Sequence, residues 1–246
     1  MKQELPAELI QSAEQACSRV GFLVRHVPFW PNWIPPGSKE PAHWSTKLGA
    51  TGANKGLWER FSGIRSIGQA PSFLLSGSVG CGKSSLLAGY CKVLFVRRYE
   101  HLAGQMTEDD QAGAVVQFSG QVRYIRHNDL NDLFRDVEEG GDEVAALTRS
   151  DLLIVDDIGT EKDTDWVMKE FLKLIDYRWG NNLPTWLASN HSRSEMVKCD
   201  KNGQPVLDRN GGLQCLWPGW ERIMSRIFDS QWMRYAELVG NFREHR

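Results

Sequence analysis

Apolar and polar positions along this chain change period several times. Leu5, Leu9, Ile10, Ala13 and Val20 recur at near-helical spacing and predict a short helix over 5–20. The next stretch, "VPFWPNWIPPGSKEPAHW", is rich in proline and tryptophan. Its prolines forbid a regular helix or a central strand, which predicts an irregular segment. From residue 72 short apolar runs alternate with amphipathic stripes. "SFLLSG" (72–77) predicts a buried strand ended by glycine, and "KSSLLAGYCKVLFVRRY" predicts a helix with Leu86, Leu87, Tyr90, Val93 and Leu94 inward. "QVRYIRH" (121–127) alternates like a strand, and "NDLNDLFRDVEE" opens with cap-type residues and reads as a helix. "DLLIVDDIG" (151–159) is the most apolar strand. The helix after it carries Val167, Phe171, Leu174 and Ile175 on one face. "TWLASN" (185–190) predicts a strand, "ERIMSRIF" (221–228) a helix and "RYAELVG" (234–240) a last strand.

Repeated strand–helix units imply a parallel sheet with helices on both faces, an α/β fold of three layers. The segment 199–219 is full of turn formers and reads as a surface insertion. The division predicted is a 1–50 appendage, a helix plus the Pro/Trp-rich segment, and a 51–246 main domain. A chain of 246 residues is long enough for that core. Its net charge of −2 supplies no global positive field, so any nucleic-acid contact must come from a local patch or an assembled oligomer. The five cysteines form an odd set without a CxxC pair, which fits reduced thiols better than disulfides or zinc. The N-terminus has no secretory h-region and no run is long enough to span a bilayer. The expectation is a cytoplasmic protein without a membrane partner.

The densest chemistry lies in "GSVGCGKSS", Gly77 to Ser85. Gly77, Gly82, Lys83 and Ser84 match GxxxxGK[ST], between a predicted strand and a predicted helix. Glycines let several backbone N–H groups turn inward as an anion nest. The helix start adds its positive dipole end. The expected occupant is ATP with Mg²⁺, cradled by Gly77, Ser78, Val79, Gly80, Cys81, Gly82, Lys83, Ser84 and Ser85. Lys83 then reaches the β- and γ-phosphates, and the Ser84 hydroxyl ligates the metal.

"LLIVDDIG" puts Asp156 and Asp157 at the C-terminal edge of a strand, where open α/β sheets bind ligands. Asp156 is expected to hold Mg²⁺ through water, and Asp157 to orient or deprotonate the attacking water. Asn190 ends the next strand and is placed to sense the γ-phosphate beside that water. Arg222 and Arg226 lie one helical turn apart on one face. On the residues alone they read as a solvated basic stripe paired with Glu221 and Asp229, or as a source of charge for a neighbouring subunit's phosphate. Arg97, Arg98, Arg123 and Arg126 are candidate DNA-contacting positions.

"GSVGCGKSS", "LLIVDDIGTE", "LPTWLASNHSRSEM" and "RIMSRI", in this order and spacing, resemble the bacterial DnaC/DnaI-type helicase loaders, AAA+ ATPases related to the IstB-type transposition ATPases. "VRYIRHNDLNDLFRD" and the closing "AELVGNFR" fit the same pattern, and the resemblance covers residues 50–246. It implies a five-stranded parallel P-loop core with the phosphate-loop strand central. It implies ATP hydrolysis, ATP-dependent assembly into rings or spirals, binding to single-stranded DNA, and delivery of a hexameric replicative helicase docked through the N-terminal region. By the same resemblance Arg226 becomes a finger acting in trans on the next subunit, and Arg243 falls where a second nucleotide-sensing arginine stands. The chain departs from many AAA+ proteins in having Asp157 where they have glutamate, which implies slow hydrolysis. It also ends at Arg246, without room for a full C-terminal lid. An IstB-like ATPase acting on target DNA, or a nucleotide-gated scaffold, is the alternative.

Overall fold

A computed structural model describes residues 7–22, 67–103, 121–136, 140–159, 164–209 and 211–238. The chain order is α1 (Ala7–Val20), a 3₁₀ turn (Ile67–Gln69), β1 (Ser72–Gly77), α2 (Lys83–Ala103), β2 (Val122–Arg126), α3 (His127–Arg135), α4 (Gly140–Arg149), β3 (Leu152–Ile158), α5 (Asp165–Gly180), β4 (Thr185–Ser189), α6 (Arg193–Met196), α7 (Glu221–Ile227) and β5 (Met233–Leu238). The five strands form one parallel sheet in the order β2-β3-β4-β1-β5. The phosphate-loop strand is therefore interior, between β4 and β5, but the middle strand is β4. This corrects the expectation of a central β1.

Alternation along each strand divides the core into two layers. Phe73, Leu75, Ile154, Trp186 and Ala236 face α1 and α2. Leu74, Leu153, Val155, Leu187 and Met233 face α3, α4, α5 and α7. Register pairs Phe73 with Trp186, and their rings stack with centroids 4.8 Å apart.

The predicted inner stripe of α2 holds for Leu86, Leu87, Tyr90 and Leu94, whereas Val93 is only half-buried. Ala88, Cys91, Lys92 and Phe95 are buried as well, because α1 packs on α2 and covers them. Small residues on α1 (Ala13, Ala16 and Cys17, all at 0% exposure) permit the close approach. The N-terminal helix thus shares the core of the sheet rather than standing apart from it.

Helix α4 is not foreseen by the hydrophobic pattern. It is completed from a distance by Arg178 of α5, whose Nη1 donates to the carbonyls of Leu147, Thr148 and Ser150 at its C-terminal end (3.2, 2.9 and 2.9 Å). Arg178 Nε donates to Thr185 Oγ1 at the start of β4 (2.8 Å). A fully buried guanidinium is tolerated because its donors meet oxygen acceptors, and a cation suits a helix C-terminus.

The predicted insertion is a surface excursion between α6 and α7. Antiparallel bridges tie it together at Val197–Cys215, Cys199–Pro205 and Leu207–Leu213. Its one aromatic, Trp217, meets His191 and Trp220 edge to face, both at centroid distances of 5.1 Å.

Candidate functional site

The loop after β1 turns through Gly80 and Gly82 at φ 86° and 95°, a region that favours glycine. The helix begins at once with Lys83, so its first amides face the same space as the loop. Lys83 is 5% exposed. Its ammonium donates to Gly77 O (2.8 Å), Ser78 O (3.1 Å) and Asn190 Oδ1 (2.7 Å), with Cys81 Sγ at 3.7 Å. The three oxygen acceptors are uncharged amide carbonyls. A buried cation so surrounded calls for an anion, which is what a triphosphate offers.

Asp156 lies at the end of β3, buried to 1% exposure. Burial and then the neighbouring Asp157 raise its carboxyl above the ordinary range. Hydrogen bonds from Ser84, from Tyr124 Oη (3.0 Å) and from the Asp157 amide (3.0 Å) act the other way. A serine hydroxyl and a carboxylate side by side are hard oxygen donors that fit Mg²⁺ with phosphate oxygens completing the shell. Among the described residues no group of three His, Cys, Asp or Glu side chains could hold a metal by itself.

Asp157 adopts φ 59° where the β3–β4 register slips between Val155 and Ile158. That local turn takes its side chain out of the strand's alternation and toward Asn190, whose Nδ2 donates to Asp157 Oδ1 at 3.1 Å. One amide therefore bridges Lys83 and Asp157. A cleft of about 340 Å³ opens beside Asp157, lined also by Arg126, Asn128 and Asp129.

Of the site residues predicted, the fold gathers Gly77, Ser78, Cys81, Lys83, Ser84, Asp156, Asp157 and Asn190 around one point at the C-terminal edge of the sheet. Arg226 is elsewhere. Its Nε pairs with Asp176 Oδ1 of α5 at 3.0 Å, and its guanidinium lies 4.3 Å over the Trp179 ring. Arg222 reaches the same carboxylate at 3.5 Å. The partner expected for this basic pair was Glu221 and Asp229; the ion pair is with Asp176, because α7 packs on α5. Of the DNA-contact candidates, Arg126 is engaged by Asp129 (2.8 and 2.9 Å), Arg123 is half-buried, and the side chains of Arg97 and Arg98 lie outside the described residues, as does Arg243. Tyr124 was not among the candidates. Only the β2–β3 register puts it beside Asp156.

No family model matches the chain. The replicative helicase loader DnaC of Escherichia coli (strain K12) is 27% identical over 162 residues, 65% of this chain and 59% of DnaC. The replicative helicase loader DnaI of Bacillus subtilis (strain 168) is 28% identical over 130 residues, 52% of this chain and 36% of DnaI. A crystal structure of the DnaC helicase loader superposes with a TM-score of 0.52, covering 88% of this chain and 100% of that one at 16% identity. The chain resembles the DnaC/DnaI-type AAA+ helicase loaders. It matches less than two thirds of the length of these DnaC and DnaI relatives, and the structural likeness to DnaC is one of fold. Among the described residues no helix is long and apolar enough to cross a membrane.

Proposed function

We propose that this chain is an ATP-driven helicase loader of replication, in which ATP and Mg²⁺ bind at the gathered edge of the sheet. The observation that carries the reading is the Asn190 bridge, 2.7 Å to the Lys83 ammonium and 3.1 Å to the Asp157 carboxylate. It joins a phosphate-binding cation to a candidate base through a group able to sense what lies between them. The similarity to the replicative helicase loaders DnaC and DnaI supports the loading role and a replicative helicase as partner; single-stranded DNA as a second partner is part of the proposal.

In this reading the loop amides and Lys83 bind the phosphates. Lys83 exchanges its carbonyl acceptors for phosphate oxygens, and Ser84 and Asp156 hold the metal. The bound Mg²⁺ neutralises phosphate charge. Asp157 accepts the proton of an attacking water that Asn190 orients. Arg226, held on the α5–α7 surface away from its own loop, acts on the nucleotide of a neighbouring copy. Helicase docking falls to residues 1–50, and within them to the part beyond α1, since the apolar face of α1 is already used in the core.

Titration with a fluorescent ATP analogue and Mg²⁺ tests this. The unaltered chain should show a saturable complex. Lys83→Ala should weaken it at least thirtyfold, the scale of losing one member of a buried charge pair, about 2–5 kcal/mol. A chain that binds no nucleotide ends the proposal. Turnover stimulated by single-stranded DNA then separates a loader from a kinase of small molecules.

A further inference from the structure

The Asp156 carboxylate is also held from a side that the phosphate loop does not supply. β2 and β3 run parallel with Tyr124 opposite Ile154 and Arg126 opposite Asp156. Ile154 and Asp156 are two apart and so share a face, the face of Tyr124. The diagonal across neighbouring strands is within reach of an aromatic side chain. Tyr124 spans it, and its Oη donates to Asp156 Oδ2 at 3.0 Å. A phenylalanine would fill the same space without that bond.

The other side of the same ring belongs to the N-terminal helix. Phe22 stacks on Tyr124 with centroids 4.3 Å apart and planes at 36°. Phe22 is buried to 4% exposure and is tied to the end of α1 by its amide, which donates to Cys17 O at 3.3 Å. Gly21 lies against the same residue: a Cβ there would stand 3.5 Å from Tyr124 O and 3.7 Å from Tyr124 Cδ1. A continuous line of contact therefore runs from the end of α1 through Phe22 and Tyr124 to Asp156. Apart from Asp156 itself, neither the loop motif nor the acidic strand contains any part of it.

The bond holds one particular oxygen of the Asp156 carboxyl group, and so directs the other. Partners of this sort orient the groups that ligate a metal. Their removal typically costs about 10- to 100-fold in metal affinity or activity. We propose that Tyr124 is a positioning residue for the metal-holding Asp156, and that α1 sets its aim through Phe22, so that the N-terminal helix and Mg²⁺-dependent nucleotide binding are linked. This rests on the assignment of Asp156 to Mg²⁺ made above.

The test uses the full chain, a fluorescent ATP analogue, and titrations in EDTA and in increasing MgCl₂. Tyr124→Phe should leave the metal-free affinity unchanged and raise the half-saturating Mg²⁺ concentration about tenfold. Phe22→Leu keeps apolar volume but loses the ring stack. It should move the Mg²⁺ dependence in the same direction, by roughly threefold, and add little to Tyr124→Phe in the double variant, because both act through one contact. Thermal unfolding of each variant without ligand serves as the folding control. A wild-type Mg²⁺ profile in Tyr124→Phe overturns the proposal. So does an equal loss with and without metal, or full additivity of the two changes. If the unaltered chain binds nucleotide with no help from Mg²⁺, the assignment of Asp156 fails with it, and that result is read on the unaltered chain alone.

Discussion

At the residue scale the site turns on the dual character of one amide. The Asn190 oxygen accepts from Lys83 and its nitrogen donates to Asp157, which a carboxylate or an aliphatic side chain cannot do together. Asp157 itself sits at φ 59°, where a short polar side chain is favoured over a longer one. That gives a backbone reason for aspartate rather than glutamate at this position. Asn190→Asp would set a second carboxylate against Asp157 and remove the donor. Nucleotide affinity should stay within a few-fold, while single-turnover hydrolysis should fall about 100-fold or more, the scale of a lost acid–base arrangement. Hydrolysis at the unaltered rate would remove Asn190 from the chemistry.

At the element scale the packing of α1 on α2 has a charge inside it. Lys92 is at 0% exposure, and burial pulls its ammonium down to about 8, against the opposing pull of Cys17, Glu14 and Cys91. Its value in the unfolded chain is about 10.4. Between these two values the unfolded state holds more protons than the native one, so stability rises with pH across that window. Below it the cost is fully present, roughly 3 kcal/mol for a shift of this size. Cys91 stays a neutral thiol there, since burial pushes it well up. Lys92→Met should therefore stabilise the protein at pH 7 by about 2 kcal/mol and flatten the rise above pH 8. Urea denaturation at pH 7 and pH 9.5 measures both, and a variant no more stable than the parent at pH 7 contradicts the argument.

At the scale of the whole molecule the question is what Arg226 faces. Within one chain its carboxylate partner is Asp176 and its ring partner is Trp179, both on α5, while the phosphate loop lies at the edge of the sheet. In the proposed reading, an arginine so placed acts on phosphate across a junction between copies. Arg226→Ala should bind nucleotide normally and lose about 10³-fold or more in turnover. Mixed with Lys83→Ala protein, it should recover part of that activity, because hybrid junctions join an intact loop to an intact arginine. Undiminished turnover by a dilute Arg226→Ala monomer would exclude a role in trans.

Much of this was legible along the chain. Strand and helix periods are local, so β1, β3, β4 and α5 follow from their own apolar positions. The loop from Gly77 to Ser85 and the order of Asp156, Asp157 and Asn190, which carry the proposed chemistry, were legible because backbone geometry at a strand end is set by neighbours in sequence. Register is different. Parallel strands are joined by long crossovers, and nothing local says that Tyr124 stands diagonal to Asp156 or that β4 rather than β1 is the middle strand. The same holds for α4, whose last carbonyls wait for an arginine about 30 residues away, and for α1, whose small residues make sense only against α2. Local sequence determined which groups could act, and the tertiary pairing of distant segments decided which of them touch.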